Sequence, residues 1–425
     1  MKFLKAISIC LLFFVSNVSF ALMVGFSQRD ITPTRNKVTL GGYGTYFISA
    51  KTTRRSKGIH DPLKASTTVF YDNRSGEYIS LTSIDAIGLS PAITKRISEG
   101  VNSLTSKNVK VLISATHTHS APDVVGLWGA LPHTGRSKTY MRHMESQIIA
   151  SIVDAMNAIE EVSVSVSKSI LENVSSGQEI TKEVNTLWFK NKNAEVVGTI
   201  TQWNAHPVML GHKNNFVSAG FVGTYRKLMS NKFDAVHVYL NGLLGNVFPK
   251  DFGSNFKDPF VEEGKTIYDE DVDVNDYLKM VGVGSKLFDS VISGYEDAKT
   301  VSVNAAEVSE FKFSGRNKNI LFKAGLKLDV LEGRDHKKRY IKSSLFELKL
   351  GEVSYLFVPG EIMPEAFLEL QNLRPESKFF PVGIANDWIG YILNEEQTDD
   401  DDYDYFKLLS TSDDILEDMK EGFKQ

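Results

Sequence analysis

Two histidines one residue apart, His117 and His119, stand in the segment Ser114-Ala115-Thr116-His117-Thr118-His119-Ser120-Ala121-Pro122-Asp123. Imidazoles in an H-x-H pair can bind a divalent metal, and several metal hydrolases use that spacing. The H-x-H-x-D-H pattern of the metallo-β-lactamases is broken at Ala121. Three other segments share the same grammar, a strand pattern followed by a group able to ligate. Gly198–Trp203 runs into Asn204-Ala205-His206-Pro207, and Val353–Val358 into Pro359-Gly360-Glu361. Pro381–Ala385 is followed by Asn386-Asp387-Trp388-Ile389-Gly390-Tyr391. Neutral imidazoles with a carboxylate are the usual ligand set of catalytic zinc.

The elements that must carry these groups follow from periodicity. Val109–Ile113 is a short buried-type strand feeding the histidine pair. If the chain stays extended, residues two apart point one way, so His117 and His119 face one cavity. Thr67–Tyr71 and Tyr78–Ser83 read as strands around Asn73-Arg74-Ser75-Gly76. Ser90-Pro91 opens a helix with Ile93, Ile97, Val101 and Leu104 on its apolar face. A second helix spans Lys138–Glu160, with Met144, Ile148, Ile152 and Ile159 on one side. Val162, Val164 and Val166 alternate with serines, as in a one-sided strand. Thr186–Phe189 and Glu195–Trp203 form a hairpin, and Ala235–Leu240 is a further strand. Gly253–Asn275 reads as a polar surface excursion and Asp276–Ile292 as a helix. Leu345–Leu350 and Val353–Val358 pair around Gly351-Glu352, before a helix at Pro364–Leu370. Helices and strands mix without a boundary. The fold class expected is α/β: one large mixed-sheet catalytic domain over 22–425, helices packed on the sheets and ligands at strand carboxyl ends.

Composition narrows the function. A formal charge of −4 over 425 residues gives no basic excess for nucleic acid, and 42% apolar content is that of a globular chain. Lys2 and Lys5 precede the apolar run Ala6–Val15, and Ser19-Phe20-Ala21 supplies small residues at a cleavage site. Residues 1–21 therefore read as a signal peptide of a secreted or periplasmic protein. The one cysteine, Cys10, lies inside that segment, so thiol nucleophiles and cysteine zinc sites drop out. Asp399–Asp402 is an acidic run, read as a solvated loop with calcium as the alternative.

The order of the motifs resembles one family, the neutral/alkaline ceramidases, exported zinc amidases that cleave the N-acyl bond of ceramide. The resemblance rests on Val24-Gly25-Phe26-Ser27-Gln28-Arg29-Asp30-Ile31-Thr32-Pro33, Gly41-Gly42-Tyr43-Gly44 and Gly58-Ile59-His60-Asp61-Pro62-Leu63. It continues through Ala115-Thr116-His117-Thr118-His119-Ser120, Ala205-His206-Pro207, Val358-Pro359-Gly360-Glu361 and Asn386-Asp387-Trp388-Ile389-Gly390-Tyr391. It implies His117, His206, Glu361 and Tyr391 as ligands of one Zn²⁺ per chain, with His119 and Tyr403 as catalytic groups beside it. Tyr405 is a neighbour easily confused with Tyr403. His60 and Asp85 are expected to make structural hydrogen bonds. The chain looks like the catalytic N-terminal domain standing alone.

Two departures bear on the substrate. The family's G-D-x-S-P segment reads Gly245-Asn246-Val247-Phe248-Pro249 here, so a serine acyl-enzyme at Phe248 is excluded. A usually acidic position is Gly220. The resemblance therefore leaves three readings: ceramide amidase, zinc amidase or esterase on another acylated substrate, and a zinc-stabilised binding protein without catalysis. The partner expected is a lipid or acylated small molecule, with peripheral membrane contact through Phe248, Leu127 and Trp128. No nucleic acid is expected, and no protein partner can be read from the sequence.

Overall fold

The computed structural model describes residues 22–424 except 36, 44–52, 130–133, 176, 262–272, 328–331 and 335–338. The proposed signal peptide and Gly44 lie outside the described residues. The chain is a mixed α/β structure, as expected. Its larger sheet has nine strands. Along the main path the order is Val236–Asn241, Val196–Trp203, Glu183–Lys190, Glu160–Ile170, Leu22–Asp30, Lys64–Tyr71, Tyr78–Ile84, Val109–Ala115, and Lys299–Val301 pairs with 160–170 beside it. The two outermost pairs, 236–241 with 196–203 and 78–84 with 109–115, are parallel. The other pairs are antiparallel.

Each face of this sheet has its own cover. Val69 and Ile113 pack with Ile93, Ile97, Met144 and Ile148 of the helices Pro91–Thr105 and Lys138–Asn157. Ile79, Leu81 and Leu112 face the other way, into a core shared with Leu348, Tyr355, Phe357 and Val382. Those four belong to a second sheet of four strands, ordered Ala306–Arg316, Tyr340–Leu350, Val353–Phe357, Phe379–Val382, its last pair parallel. At the other end, Trp188, Trp203 and Tyr239 pack under Phe221–Lys232 and Val274–Tyr295.

Three local expectations are corrected. Leu104 is 72% exposed; the buried face of its helix is Ile93, Ile97 and Val101. The second helix stops at Asn157, because Glu160 already begins the next strand. That strand is not one-sided: Ser165 and Ser167 are also buried, and Ser167 Oγ accepts from Trp188 Nε1 at 2.9 Å. Short hydroxyls fit a tight interface that a longer polar chain would not.

Carboxyl ends of the three parallel pairs of these two sheets meet. Gly383 N donates to Asn241 O at 2.9 Å, Asn386 N to Ile113 O at 2.8 Å, and Asn241 Nδ2 to Thr116 O at 2.9 Å. Parallel strands end in step, so the loops that follow all emerge at one place, where α/β proteins put their ligands.

Candidate metal centre

His117, His206, Glu361 and Tyr391 leave those strand ends and converge, as does His119. Nε2 of His119 stands 3.2 Å from Nε2 of His117 and 3.0 Å from Nε2 of His206. Glu361 Oε2 is 3.3 Å from His117 Nε2. Glu361 and Tyr391 are directly opposite in a two-residue parallel pair, which sets both side chains by backbone register. Thus the four residues implied as ligands come together, and His119 comes with them into a three-histidine group able to hold a metal.

The convergence of His117 and His119 has a different cause from strand alternation. The strand ends at Ala115, and His117 takes a left-handed backbone, φ 64°. Such a conformation costs a non-glycine residue roughly 1–3 kcal/mol and persists only where the surroundings impose it. Tyr43, Asn246, Ile384 and Asn386 share positive φ around the same centre. Asn tolerates this region because its short amide can bond locally, and Asn386 Oδ1 accepts from Ile113 N at 2.7 Å. Asn246 therefore fits its own backbone. Gly220, at φ 66° and ψ −153°, occupies a region open essentially to glycine alone, so an acidic residue there would strain the chain.

Each histidine is oriented from behind. His117 Nδ1 donates to Ile87 O at 2.5 Å and His206 Nδ1 to Leu244 O at 3.3 Å. A carbonyl only accepts, so these tautomers turn the Nε2 lone pairs toward the cluster. The His119 ring sits edge-on to Tyr43 at 4.7 Å, and Arg54 Nη2 holds its carbonyl at 2.6 Å. A side chain on Gly42 would collide with that ring. Trp388 Nε1 donates to Glu361 Oε1 at 2.9 Å, while Oε2 is buried with no hydrogen-bond partner.

Electrostatics favour neutral His119 and His206 and an ionised Glu361. Burial, reinforced by the neighbouring imidazole of His117, brings His206 down to about 4. Burial and the same neighbours hold His119 well below its ordinary value. Burial would raise Glu361, but the imidazoles of His117 and His206 outweigh it and lower the carboxyl to about 2.

The donor set fits a divalent cation. Two imidazole lone pairs and a carboxylate oxygen face one another, an arrangement that is costly until a positive charge joins it. Donors at zinc distances of about 2.0–2.2 Å stand about 3.3 Å apart around a tetrahedral ion; His117 Nε2 and Glu361 Oε2, two of the assigned donors, are 3.3 Å apart. Acidic residues 399–402 are exposed, and among the described residues they form no comparable group.

An apolar cavity opens on the cluster. Ile87, Leu127, Trp128, Phe322, Trp388 and Leu409 line it, with His117, His119, Glu361 and Tyr391 at its floor. Tyr405 lines it too, whereas Tyr403 packs on Phe406 with ring centroids 5.9 Å apart. Phe248 is not in the lining; its ring stacks on His206 at 5.9 Å. Asp85, as expected, is a structural anchor: it pairs with buried Arg226 and accepts from Lys64 N at 2.7 Å and Thr116 Oγ1 at 3.2 Å. The sequence reading missed Trp388 as a donor, although it stands inside a quoted motif. It also missed Asp258, buried inside the supposed surface excursion, for which no sequence signal exists.

Comparison with known proteins bears out the resemblance. Residues 22–178 match the family model described as neutral/alkaline non-lysosomal ceramidase, N-terminal. The fold is that of the neutral ceramidase from Pseudomonas aeruginosa, at TM-score 0.72 and 16% identity over 95% of this chain and 74% of that one. A ceramidase complexed with C2 is similar at TM-score 0.71 and 14% identity, with the same coverage.

Proposed function

We propose that this protein is an exported zinc amidase that hydrolyses the N-acyl bond of ceramide to a sphingoid base and a fatty acid. The observation that carries the reading is the meeting of three imidazole Nε2 atoms and an unpartnered Glu361 oxygen, with His117, His119 and Glu361 lining an apolar cavity. His117, His206, Glu361 and Tyr391 are the residues assigned to hold the metal. A zinc ion there supplies Lewis-acid polarisation of the scissile carbonyl and acidifies the attacking water.

The chain's own groups do the rest. His119 is neutral, and its Nε2 faces the cluster, so it can take the water's proton and return it to the leaving amine. Of the two tyrosines in the 403–405 loop, Tyr405 has the position for an oxyanion donor, because it lines the cavity and Tyr403 does not. The apolar walls exclude water and accept an acyl chain. Leu408 and Tyr405, 49% and 57% exposed, extend that surface outward, which suits peripheral contact with a bilayer through the Leu127–Trp128 side of the cavity. No helix among the described residues is long and apolar enough to cross a membrane.

The test is direct. Purified, zinc-loaded protein is incubated with labelled ceramide and with a panel of N-acyl and O-acyl compounds. Fatty acid released from ceramide is the expected result; release from other acyl compounds alone would reassign the substrate, and none from any would remove the catalytic reading.

A further inference from the structure

A second buried histidine cluster lies outside the cavity. His60 follows the two-residue strand Gly58–Ile59, which pairs in parallel with Phe216–Val217. Its Nδ1 is 2.7 Å from Asp61 Oδ2 and its Nε2 is 2.7 Å from Asp258 Oδ2. All three residues are buried, and the ring lies against Tyr277 at 4.4 Å and Phe260 at 5.9 Å. Carboxylates only accept, so two of them on one imidazole require a proton on both nitrogens. The cluster is thus an imidazolium between two acids, and Asp258 comes from the 253–261 segment, about 200 positions away in sequence.

Asp61 passes this anchoring on. Its Oδ1 accepts from Ala219 N at 2.9 Å and its Oδ2 from Ser218 Oγ. Ser218 O in turn accepts from Thr118 Oγ1 at 2.8 Å, and Ser218 N donates to Ser120 O at 2.9 Å. Thr118 is the residue between His117 and His119, and His117 is held at a backbone angle it would not choose alone. The strained turn therefore leans on the Ser218–Gly220 segment, and that segment leans on Asp61.

We infer that the His60 imidazolium is a positioning residue for the metal centre: clamped between Asp61 and Asp258, it fixes the Ser218–Gly220 turn that sets the spacing of His117 and His119. The inference rests on the metal-centre reading above. It assigns a function to the 253–261 segment, which lies outside the cavity yet supplies one jaw of the clamp.

The test uses the full chain with Zn²⁺ as probe. His60→Gln leaves two buried carboxylates facing each other; Asp258→Asn keeps the shape and removes one charge. Competition with a chromophoric chelator should show weaker zinc binding in each folded variant, by at most the ~10–100-fold lost when a group bonded directly to a metal ligand is removed. The double variant should be no worse than His60→Gln alone, because both act through one clamp. A purely structural role would lower the melting temperature and leave zinc affinity unchanged in the folded protein, which would overturn the inference. Histidine ¹⁵N spectra of the metal-free wild type give the second readout: both His60 nitrogens protonated at neutral pH, and His117 and His119 signals displaced in Asp258→Asn. A neutral His60, or unmoved His117 and His119 signals, sinks the clamp whatever the metal does. Absence of zinc binding by the wild type, with those displacements present, removes the metal reading and leaves the clamp standing.

Discussion

Two groups of buried histidine share this fold and are shifted in opposite directions from the ordinary imidazole pKa. His60 is buried against two carboxylates, and despite the cost of burial their hydrogen bonds lift it to about 9. His119 and His206 are buried against carbonyls, aromatic rings and each other, and both fall below the ordinary imidazole range. Burial is common to both, so the partners decide. An acid on each nitrogen favours a cation that can clamp; a carbonyl on one nitrogen, as at His206, leaves the other a lone pair that can ligate.

The contrast is broken most completely from the neutral side. His117→Ala or His206→Ala should abolish stoichiometric zinc binding and all turnover, read by metal analysis and fatty-acid release. His60→Gln should only weaken zinc. If the His117 and His206 variants retain full zinc and activity, the neutral cluster is not a metal centre.

Within the cavity, Tyr405→Phe should lower kcat by about 10²–10³-fold, the usual loss of one oxyanion donor, with zinc retained. Tyr403→Phe should change it far less. The reverse ranking, in steady-state kinetics of the two variants, would move the donor to Tyr403.

Stability against pH separates the two groups by sign. In the metal-free protein His206 titrates near 4 when folded and near 6.5 when unfolded. The unfolded chain then binds more protons in that window, so stability falls as pH drops from 6.5 toward 4. His60 goes from 6.5 unfolded to about 9 folded. Its contribution, on the order of 3 kcal/mol from the size of that gap, is complete below 6.5 and lost as pH rises through 9. Urea midpoints across pH should show both limbs, and His60→Gln should flatten only the alkaline one. An unchanged alkaline limb in that variant would assign it to another group.

The smallest change is one methyl. Gly42→Ala would place a Cβ 2.3–2.4 Å from atoms of the His119 ring, at a φ of 76°. Activity should fall about 10-fold or more through displacement of the ring, an effect of the size expected for a misplaced catalytic group. Zinc content should hold, since His119 is outside the assigned ligands. Wild-type kinetics in Gly42→Ala would mean that His119 needs no fixed seat.

Much of the scaffold was readable because it is periodic. Strands at 64–71, 78–84, 109–115 and 353–357 and the helix capped by Ser90 follow from alternation, turn residues and capping, all local properties. The long strands Ala306–Arg316 and Tyr340–Leu350 were harder, because much of each is exposed and their apolar signal is correspondingly weak. The helix Ile415–Phe423 escaped notice although Ile415, Leu416, Met419 and Phe423 bury one face of it. Leu104 shows the opposite error, an apolar residue on the right helical period but past the end of the buried surface.

The sequence by itself determined which groups could do chemistry: His117, His119, His206, Glu361 and Tyr391 each follow a strand, and no basic excess points to a nucleic-acid surface instead. That information is local in the chain, carried by residue type and short spacing. Tertiary structure decided how each is held. The left-handed turn at His117, the pairing of Glu361 with Tyr391, the entry of Tyr405 into the cavity lining, and the two acids on His60 all depend on contacts between segments remote in sequence. Protonation and orientation are set by what lies within about 3 Å, and that neighbourhood exists only once the chain has folded.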